Sequence, residues 1–318
     1  MLHSVDKEDL VTTKAHKVDE YPFGLFSVAG VSDYTEAQDH WARYTAHEFN
    51  SGAFRSTLLS TYDQTAATLY DGIGDARFLE YIPFGIEVED FSSTFSLLAQ
   101  DRPKRALDIL EAITQKSVER ELWSGDCAKI GSGTTGSPVP NDNNYLTKQG
   151  ASTNITVTTA GDSTRLALAN LENNLAKCPL GGRGTIHMTH KTASILTGIG
   201  LLQRVDFSAR LDKEDVNTKG QALATQMGTP VIVGSGYTGD GPVGATGATA
   251  TAGAEWMFGT GYVDVHLGAK KVINEDLSRS IVPNTNDVHI RAARTAAVHF
   301  EPCCFYAVRV DLTTINNF

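Results

Sequence analysis

Several groupings in this 318-residue sequence have the residue types and spacing of chemical sites. The sharpest is Gly234-Ser-Gly236-Tyr-Thr-Gly239, a GxGxxG run directly after the strand-like TPVIV at 229–233. In a dinucleotide fold such a run opens a helix whose N-terminus holds the pyrophosphate. Here it continues into Asp240-Gly-Pro242-Val-Gly-Ala-Thr-Gly. Pro242 blocks the required helix, and Asp240 puts negative charge beside the phosphate position. The motif fails its context test and reads as a flexible loop.

The pair His187 and His190 is three residues apart, as in the first half of a metal site, but no third ligand is evident. The plainer reading is a partly buried histidine on a strand and a surface histidine near a helix start. His40 and His47 lie near Asp39 and Glu48 without a serine or cysteine to activate. Glu87, Glu89 and Asp90 alternate with apolar residues and read as the solvated face of a strand. Arg291 and Arg294 fall on a turn between two alternating runs. They could clamp an anion, but ion pairs with a nearby Glu or Asp, within the chain or across a subunit boundary, are the simpler expectation. Cys127, Cys178, Cys303 and Cys304 form no CxxC pair and read as reduced thiols in a cytosolic setting. No catalytic residue, cofactor or metal is assigned.

A net charge of −10 and a pI near 5.4 argue against a dedicated nucleic-acid binder, which needs a basic stripe to neutralise phosphates. An acidic wall is compatible with a container that must not stick to its contents. With 41% hydrophobic and 20% charged residues, the chain has the composition of a soluble protein with real cores. The start MLHSVDKEDLVTTKAHKVDE is charged and lacks the apolar core of a signal peptide.

The elements that must position these residues are unevenly distributed. Residues 1–20 are polar and charged, with YPFGLF at 21–26 as a hydrophobic anchor. Residues 32–81 carry aromatics throughout (Trp41, Tyr44, Phe49, Phe54, Tyr62, Tyr70, Phe78) and turn glycines, but no sustained helical stripe. They read as a long hairpin or extended loop. FGIEVE at 84–89 alternates as a strand. The best helix runs from a cap at Asp101 through Pro103, Ala106, Ile109, Leu110, Ile113 and Leu122 to a stop at Gly125. Residues 125–154 have loop composition. A second helix is expected after a cap at Asp162, then a strand at 184–188 and a short helix at 191–196. The last third ends in alternating runs at 288–292 and 305–310, read as two half-buried strands. About a quarter of the chain cannot pack a core by itself, so its aromatic residues need contacts supplied by neighbouring copies.

Taken in order, PFGLFSVAG at 22–30, ERELWSGD at 119–126, the run 166–196, GTPVIVGSGYTGDGP at 228–242, WMFGTGYVDV at 256–265 and NDVHIRAARTAAVHFEPCCFYAVRV at 286–310 carry a resemblance. Over most of its length the chain resembles the major capsid proteins of tailed phages, especially those infecting actinobacteria. The resemblance implies the α+β Hong Kong 97-like capsid fold, with an N-arm, an extended E-loop hairpin, a peripheral domain with a long spine helix, and an inserted axial domain. It implies an N-arm at 1–35, the E-loop at 36–85, and the peripheral domain at 86–154 with its spine helix at 101–124. The axial domain would occupy 155–265, the peripheral domain would return at 266–297, and the axial terminal strand and tail would fill 298–318.

By the same resemblance the chain assembles with itself into pentamers and hexamers of an icosahedral shell enclosing double-stranded DNA. It would be made in the bacterial host cytoplasm and reside in the virion. Portal and decoration proteins are implied partners, and the short stretch before the N-arm signature implies a separate scaffolding protein or none. Assembly contacts are expected at Trp41, Phe49, Phe54, Tyr62, Arg77, Arg291 and Arg294. Some shells of this fold are welded by an isopeptide bond from an E-loop lysine to an asparagine. Asn284 and Asn286 are candidate acceptors, yet residues 36–85 contain no lysine, so a non-covalent shell is expected. The rival readings are an enzyme binding a phosphorylated ligand or nucleotide at Gly234–Gly239, and another virion structural protein.

Overall fold

Ala106, Leu110, Val118 and Leu122 recur at helical spacing and are all buried, and in the computed structural model they belong to a helix over Arg102–Ser124, α1. The structure describes residues 22–33, 44–47, 54–55, 69–70, 78–81, 83–93, 102–125, 145–147, 156–177, 184–205, 222–273, 281–282, 287–301 and 305–313. At 23 residues α1 is about 35 Å long. It stops at Gly125, which has φ 62° and donates its N–H to the Glu121 carbonyl at 2.8 Å. A side chain there would strike the Tyr145 ring. The next two carbonyls of the last turn accept N–H bonds from Leu146 and Thr147 at 2.8 and 3.0 Å. Tyr145, Leu146 and Thr147 are buried, so the segment read as pure loop returns to close the end of α1.

The strands before α1 are β1 (Gly30–Asp33), β2 (Tyr44–His47), β3 (Phe54–Arg55), β4 (Leu69–Tyr70), β5 (Phe78–Tyr81) and β6 (Phe84–Ser93). After it come β7 (Thr156–Ser163), helix α2 (Thr164–Ala176), β8 (Thr185–Met188), helix α3 (His190–Gly198) and β9 (Leu202–Val205). The remainder is β10 (Ala222–Thr225), β11 (Pro230–Val233), β12 (Ala254–Thr260), β13 (Val263–Leu267), β14 (Lys271–Val272), β15 (Ile281–Val282), β16 (Asp287–Phe300) and β17 (Tyr306–Asp311). No described helix is long and apolar enough to cross a membrane.

Two sheets share these strands. The first is organised on β16, with β6 antiparallel along one edge and β15, β14 and β13 in turn along the other. β1 joins its far edge parallel to β13. The second is seven-stranded in the order β7-β17-β12-β8-β11-β10-β9. The chain passes from the second to the first at Gly261–Tyr262, and β13 and residues 298–300 of β16 lie in the first. α1 packs on β6 and β16. One core gathers Leu110, Leu122 and Trp123 of α1, Ile86 and Val88 of β6, and Ile290 and Phe300 of β16, together with Trp256 and Phe258 of the second sheet and Phe305 just before β17. A second core lies between that sheet and the helices, around Leu168, Leu171, Leu175, Leu196, Val231 and Met257. The long helix therefore touches both sheets, and its last turns are buried on more than one side.

Several expectations need correcting. The segment around Arg291 and Arg294 is no turn but part of the 14-residue strand β16. Small alanines at 292, 293, 296 and 297 allow the strand to continue between sheet partners. Asp162 does not cap α2: it lies within β7, a strand not expected, and Ser163, the last residue of that strand, holds the N-cap position. Asp90 is not on the solvated face. Ile86, Val88 and Asp90 share the buried side of β6, whereas Glu87 and Glu89 are exposed.

Candidate functional site

The polar centre of the molecule is Glu119, fully buried near the end of α1. Its Oε1 accepts the Leu25 N–H at 2.9 Å and the Gln115 side-chain amide at 2.9 Å. Its Oε2 accepts the Ser235 hydroxyl at 2.9 Å and the Gly236 N–H at 3.1 Å. One carboxylate thus ties together the N-terminal anchor, the long helix and the Gly-rich run. Four donors satisfy a buried charge that would otherwise carry a large desolvation cost.

This explains the GxGxxG motif. No helix follows Gly239. Gly236 is glycine because a Cβ there would lie 2.5 Å from the Lys116 carbonyl and 2.6 Å from the Arg120 nitrogen, both backbone atoms of α1. Gly241 likewise lies against the Trp256 indole. The first part of the expected flexible loop, Gly234–Gly241, is seated on α1 and β12, and the anion bound by the Gly236 amide is the protein's own Glu119.

Tyr237 continues the junction. Its ring lies 4.5 Å from Trp123, which meets Phe258 edge-on at 4.9 Å. Burial first, and the Glu119 charge second, push the Tyr237 phenol well above its ordinary pKa. Its hydroxyl lies 3.0 Å from His187 Nδ1, and Thr260 Oγ1 lies 2.9 Å from His187 Nε2. Because Thr260 donates its proton to the Gly261 carbonyl, the network assigns the His187 proton to Nε2. Fully buried, His187 has its pKa lowered to about 3. It is a neutral core histidine, more deeply buried than its sequence suggests. His190 is exposed at the first position of α3. The N-cap Thr189 and Thr192 both donate to Glu255 Oε2, and Lys191 pairs with Oε1 at 3.3 Å, docking that helix on β12.

Of the expected assembly residues, Arg291 lies on the outer side of β16 and pairs with Glu87 and Glu89 across the ladder to β6. Arg294 donates to the Gly268 carbonyl and pairs with Asp33 of β1 at 3.3 Å. Both sets of partners belong to the same chain. Phe54 falls on β3, which pairs with β4, and Trp41, Phe49, Tyr62 and Arg77 lie outside the described residues. Asn284, Asn286 and the four cysteines lie outside them too.

The 44–81 excursion contains two antiparallel ladders, Tyr44–His47 with Phe78–Tyr81 and Phe54–Arg55 with Leu69–Tyr70.

No protein-family model matches the sequence, and no curated protein matches it. Solved structures do. A chain titled as the capsid of an empty GTA particle has a TM-score of 0.52 and 11% identity, over 95% of this chain and 95% of that one. The holo-SrpI encapsulin complex from Synechococcus elongatus has a TM-score of 0.52 and 10% identity, over 100% of this chain and 99% of that one. The chain has the Hong Kong 97-type capsid fold. α1 packs against the sheet of β6 and β16. The Glu119 junction joins it to the N-terminal anchor and to the Gly-rich run after β11.

Proposed function

We propose that this chain is a major capsid protein that assembles with itself, as pentamers and hexamers, into the icosahedral shell enclosing the double-stranded DNA of a tailed phage. The observation that carries the reading is the full-length likeness of fold to subunits of two closed particles, a GTA capsid and an encapsulin. The ordered sequence resemblance to actinobacteriophage capsid proteins supports the phage shell over an encapsulin-type compartment. The net charge of −10 suits a wall that must not adhere to packed DNA.

On this reading residues 1–35 act as the N-arm, anchored in its own subunit by Leu25, Phe26 and Ala29. Residues 36–85 act as the E-loop, whose ladders carry Phe54 and flank Trp41, Phe49, Tyr62 and Arg77 onto a neighbour. The sheet on β16 with α1 forms the peripheral domain, and the seven-stranded sheet forms the axial domain. Assembly takes place in the host cytoplasm, with portal, scaffolding and decoration proteins as further partners. The role is structural. A nucleotide site at Gly234–Gly239 has against it that Glu119 already occupies the Gly236 amide and the Ser235 hydroxyl. Sedimentation velocity of the purified chain tests the proposal. Particles or capsomers far heavier than 34.2 kDa are expected, and a monomer that persists at high concentration would overturn it.

A further inference from the structure

On the outer face of the first sheet, away from the Glu119 junction, Asp264 and His266 are two residues apart on β13. Both therefore project to the same side. β16 runs antiparallel beside it and places His299 directly opposite Asp264. One carboxylate oxygen and one ring nitrogen from each histidine all lie within 4.8 Å of one another. The two imidazoles stack with centroids 5.6 Å apart and planes 11° from parallel. Asp264 Oδ2 lies 3.4 Å from His299 Nε2. Two donors bound to one zinc ion at the usual bond lengths and tetrahedral angle are separated by about 3.3 Å. An ion pair would require only two of these three residues; convergence of the third is what a metal requires.

We propose that Asp264, His266 and His299 form a binding site for a single divalent transition-metal ion, with Zn²⁺ the ion their geometry fits, clamping β13 to β16. Two imidazole nitrogens and a carboxylate oxygen are a donor set suited to zinc, and a water completes four-coordination. The surroundings support the assignment. Tyr262 hydrogen-bonds to Asp264. A hydrogen bond to the ligating carboxylate orients it, as in established metal sites. Gly30 of β1 makes room for this pair, since a Cβ there would lie 2.3 Å from the Tyr262 hydroxyl and 2.4 Å from Asp264 Oδ1.

The test uses the full chain, stripped with a chelator and titrated with ZnCl2 by calorimetry and with CoCl2 by visible absorption. One ion per chain, the intense visible bands of tetrahedral Co²⁺ and a higher thermal midpoint with Zn²⁺ are expected. His299→Gln and Asp264→Asn should each weaken binding by at least about tenfold, whereas His190→Gln should leave it unchanged. Absence of tetrahedral Co²⁺ bands in the wild-type chain overturns the proposal without recourse to any variant. Equally tight binding by folded His299→Gln and Asp264→Asn places the ion elsewhere and overturns it too.

Discussion

Glu119 accepts from donors that lie 4, 94, 116 and 117 residues away along the chain, so no local pattern announces it. Within ERELW it looks like an ordinary acid near a helix end. The GxGxxG run was legible as a loop, but its partner was not, because close approach between a glycine and a helix is a tertiary fact. Glu119→Gln preserves the shape but turns an NH2 group toward donors that need an acceptor. It should lower stability by about 2–4 kcal/mol in urea denaturation, given the cost of leaving buried donors unpaired. A loss below about 0.5 kcal/mol would show that the junction is unimportant. His187 gives a pH signature. Its pKa falls from 6.5 unfolded to about 3 folded, so above pH 6.5 it has no effect. As pH drops from 6.5 toward 3 the unfolded chain takes up a proton that the native chain refuses, and stability declines by up to about 1.4 kcal/mol per pH unit from this group. A folded His187→Gln variant should have a shallower acid limb than wild type in denaturation measured from pH 7 to 4. Parallel limbs would contradict the assignment. Arg291 and Arg294 were legible as ion-pairing residues, and exposed pairs such as Arg291 with Glu87 are worth at most about 1 kcal/mol.

At the scale of elements, α1 was readable because apolar spacing and stop agree over 23 residues, while the expected cap, Asp101, lies outside the described residues. The strand at 84–89 was readable from its alternation, and β6 runs on to Ser93; placing Asp90 on the solvated face ignored that it shares the parity of Ile86 and Val88. β16 was read as shorter because its middle, Ala292-Ala-Arg-Thr-Ala-Ala297, has weak strand propensity. Its sheet neighbours on both sides supply the pairing that propensity does not. β7, with the sequence TVTTAGDS, hid for the same reason, and pairs with β17 from the far end of the chain. The 44–81 excursion contributes two short antiparallel ladders, and its reading as an arm for a neighbour is a proposal. Deleting residues 50–74 removes the inner ladder and keeps the outer. The expected product is a soluble, folded subunit, by circular dichroism, that forms no shells under the microscope. Normal shells from this variant would remove the hairpin from the assembly mechanism.

At the scale of the whole molecule, two sheets share the core under α1, and the N-terminal anchor inserts at their junction through Leu25 and Phe26. A shell built this way rests on burial and hydrogen bonding between copies. Residues 36–85 offer only Arg43, Arg55 and Arg77 as cations, and a guanidinium stays protonated and is a poor nucleophile. Particles boiled in denaturing detergent should give one band near 34.2 kDa, whereas a ladder surviving reductant would reveal covalent links. The seven-stranded sheet, the shared core and the two-histidine site come from pairings across distant sequence, which is why motif order suggested the architecture but not its contacts. The most direct test is electron microscopy of the purified protein after assembly. Closed shells of icosahedral symmetry, with hairpins 44–81 lying across adjacent subunits, are the result this account predicts. Uniform isolated monomers, or open filaments with the hairpin folded back on its own subunit, would contradict it.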